Sequence, residues 1–195
     1  MSDNKGWATP APAGMMVLAF YLGCLWPVAA GMAPHELIYI LVALGFCGGL
    51  VQVISGIIEL RIGEVGPGNI MLAFSSFMWY GMFEKLLQCL KLLPHNTAAV
   101  DGWVFLIMAL LMISFTPAYM IKGTGPTLFM IWTDVFFLFA ALYFLTSFKP
   151  FWVIATWDLP LMILTIIWQS AAIILNGTFK RQVISLGPPW IKIKE

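Results

Sequence analysis

Long apolar stretches alternate with short polar connections along most of the chain. Each stretch has at least the roughly 20 residues that a helix needs to cross a membrane. The connections hold the proline, glycine and charged residues that end helices, as in "RIGEVGPGN" and "IKGTGP". The six apolar stretches are residues 13–32, 37–60, 69–92, 102–121, 126–147 and 151–175. The pattern predicts an all-α integral membrane protein, a six-transmembrane-helix bundle in one membrane domain covering residues 1–195.

The composition agrees with a lipid environment. Hydrophobic residues make up 61% of the chain and charged residues only 10%, whereas a soluble domain carries about 25% charge. A net charge of +1 gives no reason to expect a nucleic-acid partner. Two histidines and three scattered cysteines are too few for a metal site, and no catalytic motif occurs. We therefore predict no cofactor, no metal and no enzymatic activity, although a structural or sensory membrane subunit stays open as an alternative.

The basic residues predict the orientation of the helices in the membrane. Cytoplasmic connections carry an excess of lysine and arginine. Seven of the ten basic residues fall on the side of the N-terminus: Lys5, Arg61, Lys122, Lys180, Arg181, Lys192 and Lys194. We expect a multi-pass protein of the cell membrane, plasma or inner, with both termini in the cytoplasm.

The second apolar stretch carries one polar stripe. At about 100° per residue, its members fall within an arc of roughly 80°. They are Gly45, Gly49, Gln52, Gly56 and Glu59. Glycines on one face let another helix come close, and an amide or an acid avoids lipid because exposure there is costly. Helix packing and a polar pathway both fit this stripe, and a buried pairing of Glu59 with Arg61 or with a loop donor also fits.

Other stretches hold further candidates. Asp134 lies two turns inside the fifth stretch, where an acid is a functional candidate by default, with a hydrogen-bonded structural acid as the alternative. Ser76 lies among aromatic residues of the third stretch, and Glu84 and Lys85 near its end are interpreted as reaching the external surface.

The first stretch begins with an unusual motif, Pro10, Pro12 and Gly14. Proline suits the first turn of a helix because its missing N–H would have no partner there. The two prolines fix the N-terminus of the helix, whose positive dipole end favours a carboxylate. A rigid cap that only seats the first helix is the alternative.

Several of these segments together resemble one family. "TPAPAGMMVLAF" resembles the "NPAPLGL" signature of the acetate uptake transporter family, the succinate–acetate permease group. "GGLVQVISGIIELRIG" is similar to that family's second-helix segment and keeps Gln52, Gly56 and Glu59 in matching places. "LAFSSFMWYG" is similar to its "TAFTSYGSFW" segment and keeps Phe74 and Ser76. "IWTDVFFLFAAL" and "NGTFKRQVISLG" extend the resemblance over nearly the whole chain.

The resemblance implies a homohexamer of six-helix protomers, each with one narrow pathway. The cargo it implies is acetate and similar small monocarboxylates, sometimes succinate, moved with protons or by a channel-like route. The family's constriction maps by position onto Leu18, Phe77 and Thr133, where the family usually has phenylalanine, tyrosine and leucine. All three differ, so a wider constriction and a changed substrate are both open.

The expected mechanism follows from the cost of moving a carboxylate through an apolar constriction. A buried, unpaired carboxylate is far more costly than its neutral acid. We expect Gln52, Ser76 and Thr133 as hydrogen-bond donors along the way, and Asp134 and Glu59 as proton holders. A channel for small neutral solutes such as urea or short amides is the alternative function.

Overall fold

The computed structural model describes residues 7–192 as helices and connections, with no strand in that range. Six long helices follow one another: α1 Ala11–Ala29, α2 Leu41–Arg61, α3 Val65–Cys89, α4 Ala98–Met120, α5 Thr124–Thr146 and α6 Lys149–Phe179. A short 3-10 helix, His35–Ile40, leads directly into α2. The structure confirms the predicted all-α class with six helices.

Five segments are long and apolar enough to cross a membrane: α1, the 3-10 helix together with α2, α4, α5 and α6. The exception is α3, whose 25 residues include Glu84, Lys85 and Gln88 near the C-terminal end. These polar residues lower its hydropathy below that of its neighbours, and they form part of the site described below.

The helices are arranged as an open ring. α3 packs on α2, α2 on α1, α1 on α6, α6 on α5 and α5 on α4. The backbones of α3 and α4 come much less close to each other. Side chains bridge them instead: the rings of Phe77 and Phe105 lie 4.9 Å apart, and the Tyr80 hydroxyl donates to Asp101 at 2.6 Å. We call this side-chain junction the α3–α4 seam.

Glycines bring α2 close to α3. A Cβ atom on Gly49 would lie 2.1 Å from Nε1 of Trp79, so the indole occupies the space that a side chain would need. A Cβ on Gly56 would lie 2.9 Å from the carbonyl oxygen of Gly68, and one on Gly45 would lie 2.8 Å from Cβ of Met82. The α2–α3 pair therefore tolerates little separation or substitution along this line.

The centre of the ring is filled by flexible and aromatic side chains. Five of the largest side chains there are at most 1% exposed: Met78, Met112, Met130, Phe137 and Met162. Methionine fills irregular space because its side chain is unbranched and flexible. These five side chains carry no charge.

Candidate transport pathway

Two cavities open towards opposite ends of the bundle. One lies on the side of the chain termini, measures about 520 Å³, and is bounded by the beginnings of α1, α3 and α5 and the ends of α2 and α4. We call it the terminal-side cavity. The other, the far-side cavity, measures about 700 Å³ and lies among the 3-10 helix, the ends of α1, α3 and α5, and the beginnings of α4 and α6. Either volume is ample for a small organic acid.

An apolar layer lies between the two cavities. Leu18 and Phe74 line both of them, and each side chain is only 4% exposed. The ring of Phe74 lies 6.3 Å from that of Phe129, which lines the terminal-side cavity, and 5.9 Å from that of Phe137, which lines the far-side cavity. We call these four residues the aromatic barrier. A solute that passes between the cavities has to move past them.

The three residues expected at the constriction occupy different positions. Leu18 belongs to the barrier, and Phe77 lines the far-side cavity with its ring edge-on to Phe137 at 5.0 Å. Thr133 shares a face of α5 with Phe129 and Phe137 but is fully buried. Its hydroxyl donates to the carbonyl oxygen of Phe129 at 2.8 Å, and neither cavity is lined by it.

The N-terminus of α1 is occupied by a carboxylate of the chain itself. Glu59, 1% exposed, accepts hydrogen bonds from the hydroxyl of Thr9 and from the backbone N–H of Ala11 at 3.1 Å. Pro12 has no N–H, and the N–H groups of the next two residues both donate to the carbonyl oxygen of Pro10. The dipole end that the sequence suggested for a substrate carboxylate thus holds Glu59.

Gln52 reaches the same cavity about two helical turns from Glu59 along α2. Its Nε2 donates to the carbonyl oxygen of Gly14 at 3.2 Å. Its Oε1 is buried and has no hydrogen-bond donor within the described part of the chain. Gly14 is closely packed, since a Cβ there would lie 3.0 Å from Sδ of Met71. One residue of the wall of the terminal-side cavity therefore holds a buried amide oxygen that has no hydrogen-bond donor.

Two other predicted residues lie away from the cavity walls. Ser76 is exposed, and its hydroxyl donates to the carbonyl oxygen of Leu72 on its own helix at 3.0 Å. Asp134 faces α4, where it accepts a hydrogen bond of 2.6 Å from Thr116. Its other carboxylate oxygen is buried without a partner in residues 7–192. Neither residue lines a cavity described above.

A polar network in the wall of the far-side cavity was missed from the sequence. The hydroxyl of Thr97 lies 2.6 Å from a carboxylate oxygen of Glu84 and 2.8 Å from one of Asp101. Gln88 and Lys85 also donate to Glu84, at 2.8 and 2.9 Å. The expectation that Glu84 reaches the external surface is wrong, because it is 9% exposed and held in this network. An acid and a lysine at adjacent positions gave no signal of this, since Thr97 and Asp101, which complete the network, lie beyond α3, in the connection and in α4.

Carboxylates outnumber lysines in both linings. The far-side cavity is lined by three carboxylates and one lysine: Glu36, Glu84, Asp101 and Lys85. The terminal-side cavity is lined by two carboxylates and one lysine: Glu59, Glu64 and Lys122. Each lysine is paired with a carboxylate, at 2.9 Å in the far-side cavity and 2.6 Å in the terminal-side cavity. A permanent cation that would hold a substrate anion is therefore missing from both linings, as far as residues 7–192 define them.

Within residues 7–192, no group of three or more His, Cys, Asp or Glu side chains is placed to hold a metal ion.

The six-helix fold of this chain is shared with a solved structure. A solved structure described as that of the bacterial acetate channel SatP superimposes on this chain with a TM-score of 0.85, covering 93% of this chain and all of that one. The two sequences are 19% identical over the match, so the likeness establishes the fold. No protein-family model and no curated protein sequence matches the chain.

Proposed function

We propose that this protein moves acetate and related small monocarboxylates across a membrane, with a proton accompanying each carboxylate so that it passes the aromatic barrier as the neutral acid. The observation that carries the proposal is the unpaired Oε1 of Gln52 in the wall of the terminal-side cavity. A buried acceptor without a partner suits a ligand that supplies a hydrogen-bond donor, and the O–H group of a carboxylic acid is such a donor. A carboxylate anion has none.

The barrier and the charges of the linings support the same form of the substrate. Leu18, Phe74, Phe129 and Phe137 offer no polar group to an anion, and burying an unpaired carboxylate is far more costly than burying its neutral acid. The linings repel rather than attract a free anion, because their lysines are already paired. The fold shared with a solved acetate channel supports acetate as the substrate.

Leu18 and Phe77 remain our candidates for the constriction, and we now add Phe74 because it lines both cavities. Gln52 and Glu59 remain candidates for polar residues of the pathway. The predictions for Thr133, Ser76 and Asp134 remain open, although the cavities do not include them. We also propose a homo-oligomer, with a hexamer as the expected number, in a plasma or inner membrane with both termini in the cytoplasm. Native mass spectrometry of the purified protein tests the subunit number. We assign the protein no enzymatic activity.

The direct test is uptake of labelled acetate into proteoliposomes with and without an imposed pH gradient, at a fixed concentration of neutral acid. Uptake that follows the pH gradient supports proton coupling, and uptake that does not depend on the gradient contradicts it. Succinate, run in parallel, tests whether a dicarboxylic acid is accepted. Failure to take up any short-chain acid would overturn the proposal as a whole.

The alternative is a channel for urea or short amides, whose N–H groups would also satisfy the Gln52 oxygen. Swelling assays that compare urea, acetamide and acetate distinguish the two functions. The variant Gln52→Leu should slow acetate uptake about fivefold, since a neutral hydrogen bond is worth about 1 kcal/mol. Gln169→Leu is run in parallel, because Gln169 lines the same cavity and its Nε2 likewise donates to a backbone carbonyl, that of Thr165 on its own helix. Slower uptake in Gln52→Leu alone would assign the acceptor to Gln52.

A further inference from the structure

The chain beyond α6 folds back over the end of the bundle. α6 ends at Phe179, and the next residue, Lys180, has a left-handed backbone with φ 53°. Residues 182–191 then cross the terminal side towards the turn between α4 and α5. We call residues 182–191 the strap. It lies outside the six helices, yet one of its side chains, Leu186, lines the terminal-side cavity.

The strap is fixed to α6 by side chains of that helix. The amide of Asn176 accepts from the N–H groups of Val183 and Ile184, at 2.6 and 3.0 Å, and donates to the carbonyl oxygen of Ile184 at 2.8 Å. The indole N–H of Trp168 donates to the carbonyl oxygen of Ser185 at 3.0 Å. The strap therefore leaves α6 in one defined direction.

At its other end the strap forms backbone hydrogen bonds with the last turn of α4 and the first turn of α5. The first N–H groups and last carbonyls of a helix have no partner within that helix. The N–H of Gly125, in the first turn of α5, donates to the carbonyl oxygen of Leu186 at 2.8 Å, and the last-turn carbonyl of Met120 in α4 accepts from the N–H of Trp190 at 2.8 Å. Gly187 provides the turn between them with φ 78°, where a Cβ would lie 2.6 Å from Oγ1 of Thr124.

These contacts fix the position of one apolar side chain at the cavity. Leu186 is half-buried, and its Cδ2 lies 3.2 Å from where a Cβ on Gly125 would be. It shares the wall with Gln169, Ile173 and Pro126. A solute that enters or leaves the terminal-side cavity along this wall meets Leu186 before it meets the aromatic barrier.

We propose that Leu186 is a specificity-determining residue of the pathway: the strap holds its side chain at the terminal-side cavity, where it limits the chain length of the acid that passes. The inference rests on the proposed transport of small carboxylic acids. Since the strap is anchored through backbone groups, the side chain at position 186 can be shortened without loss of those hydrogen bonds.

The test compares Leu186→Ala with wild type in proteoliposomes that take up labelled acetate, butyrate or hexanoate. We expect the butyrate-to-acetate ratio to rise by up to about tenfold, the lower end of what one methylene group is worth in an apolar pocket. Val183→Ala is the control, because Val183 belongs to the same strap but is 45% exposed and lines neither cavity. Both variants must elute as wild type does on size-exclusion chromatography.

A second measurement keeps the inference testable if the ratio changes little through compensating movement. In a background without the three native cysteines, Leu186→Cys should lose acetate uptake on treatment with a bulky thiol reagent, and Val183→Cys should not. An unchanged ratio together with an insensitive Leu186→Cys protein would overturn the role of Leu186 while leaving acetate transport standing. A wild-type protein that moves no acid at all would instead overturn the proposed function.

Discussion

Glu59 provides a quantitative test of how the first helix is held. Its carboxylate accepts from the N–H of Ala11 at 3.1 Å and from the hydroxyl of Thr9. A hydrogen bond to a charged group contributes roughly 1.5–3 kcal/mol. The full amount is not lost on substitution, because Thr9 is exposed and its hydroxyl also accepts from the Ala11 N–H at 3.2 Å. We therefore expect Glu59→Leu to lower the free energy of unfolding by about 2 kcal/mol.

Glu59→Gln should cost about half as much, since the amide oxygen still accepts while the charge is gone. For a chain of this size, 1 kcal/mol corresponds to about 2–4 °C in Tm, so Glu59→Leu should melt about 4–8 °C below wild type. The assay is thermal unfolding of the purified protein in detergent, followed by intrinsic tryptophan fluorescence.

The control for this prediction is Glu64→Gln at the same end of the bundle. Glu64 pairs with Lys122, but the two side chains are 49% and 37% exposed, and an exposed ion pair contributes at most about 1 kcal/mol. If the Tm of Glu59→Leu equals that of wild type, or is no lower than that of Glu64→Gln, the Glu59 carboxylate does not hold the start of α1. Acetate uptake by Glu59→Gln then distinguishes two roles of Glu59. If Glu59 carries a proton during transport, the variant loses uptake; if Glu59 only caps the N-terminus of α1, the variant keeps it.

Three further predictions concern the rest of the pathway. Gly49→Leu should abolish assembly of a monodisperse protein because the Trp79 indole fills its space, whereas Gly23→Leu, with nothing within 4 Å, should behave as wild type on size-exclusion chromatography. Phe74→Ala should join the two cavities and raise acetate uptake while weakening discrimination against longer acids; equal uptake ratios for wild type and variant would argue against the barrier. Thr97→Val should lower the Tm by about 2–4 °C, because it removes a hydroxyl within hydrogen-bond distance of two carboxylates; an unchanged Tm would argue against a stabilising role of that network.

The six helices were predictable because each apolar run has the length that a membrane imposes, and this constraint acts locally along the chain. The polar stripe of the second helix was also visible, since its spacing follows from helix geometry alone. The partners of that stripe were not visible. The bond from Gln52 to Gly14 joins residues 38 positions apart, and the sequence carries no signal for such a pairing.

The far-side network shows the same limit more clearly. Glu84 and Asp101 lie on different helices and meet through Thr97, which belongs to the connection between them. The orientation of the Thr133 hydroxyl could not be predicted either. Residue spacing places Thr133 on the buried face of α5, but whether its hydroxyl faces a cavity or donates to its own helix depends on the neighbouring side chains. Five of the ten strap residues are apolar, but their spacing follows no helical period, so only the tertiary hydrogen bonds reveal the strap.

The α3–α4 seam gives the bundle one compliant side. Elsewhere in the ring neighbouring helices touch along their backbones, and separating them would open voids that close packing forbids. At the seam, the Phe77–Phe105 contact and the hydrogen bond from Tyr80 to Asp101 can exchange partners by side-chain rotation alone, while each helix keeps its own packing. Expansion of the bundle therefore meets the least resistance along this line, which borders the far-side cavity and adjoins the aromatic barrier.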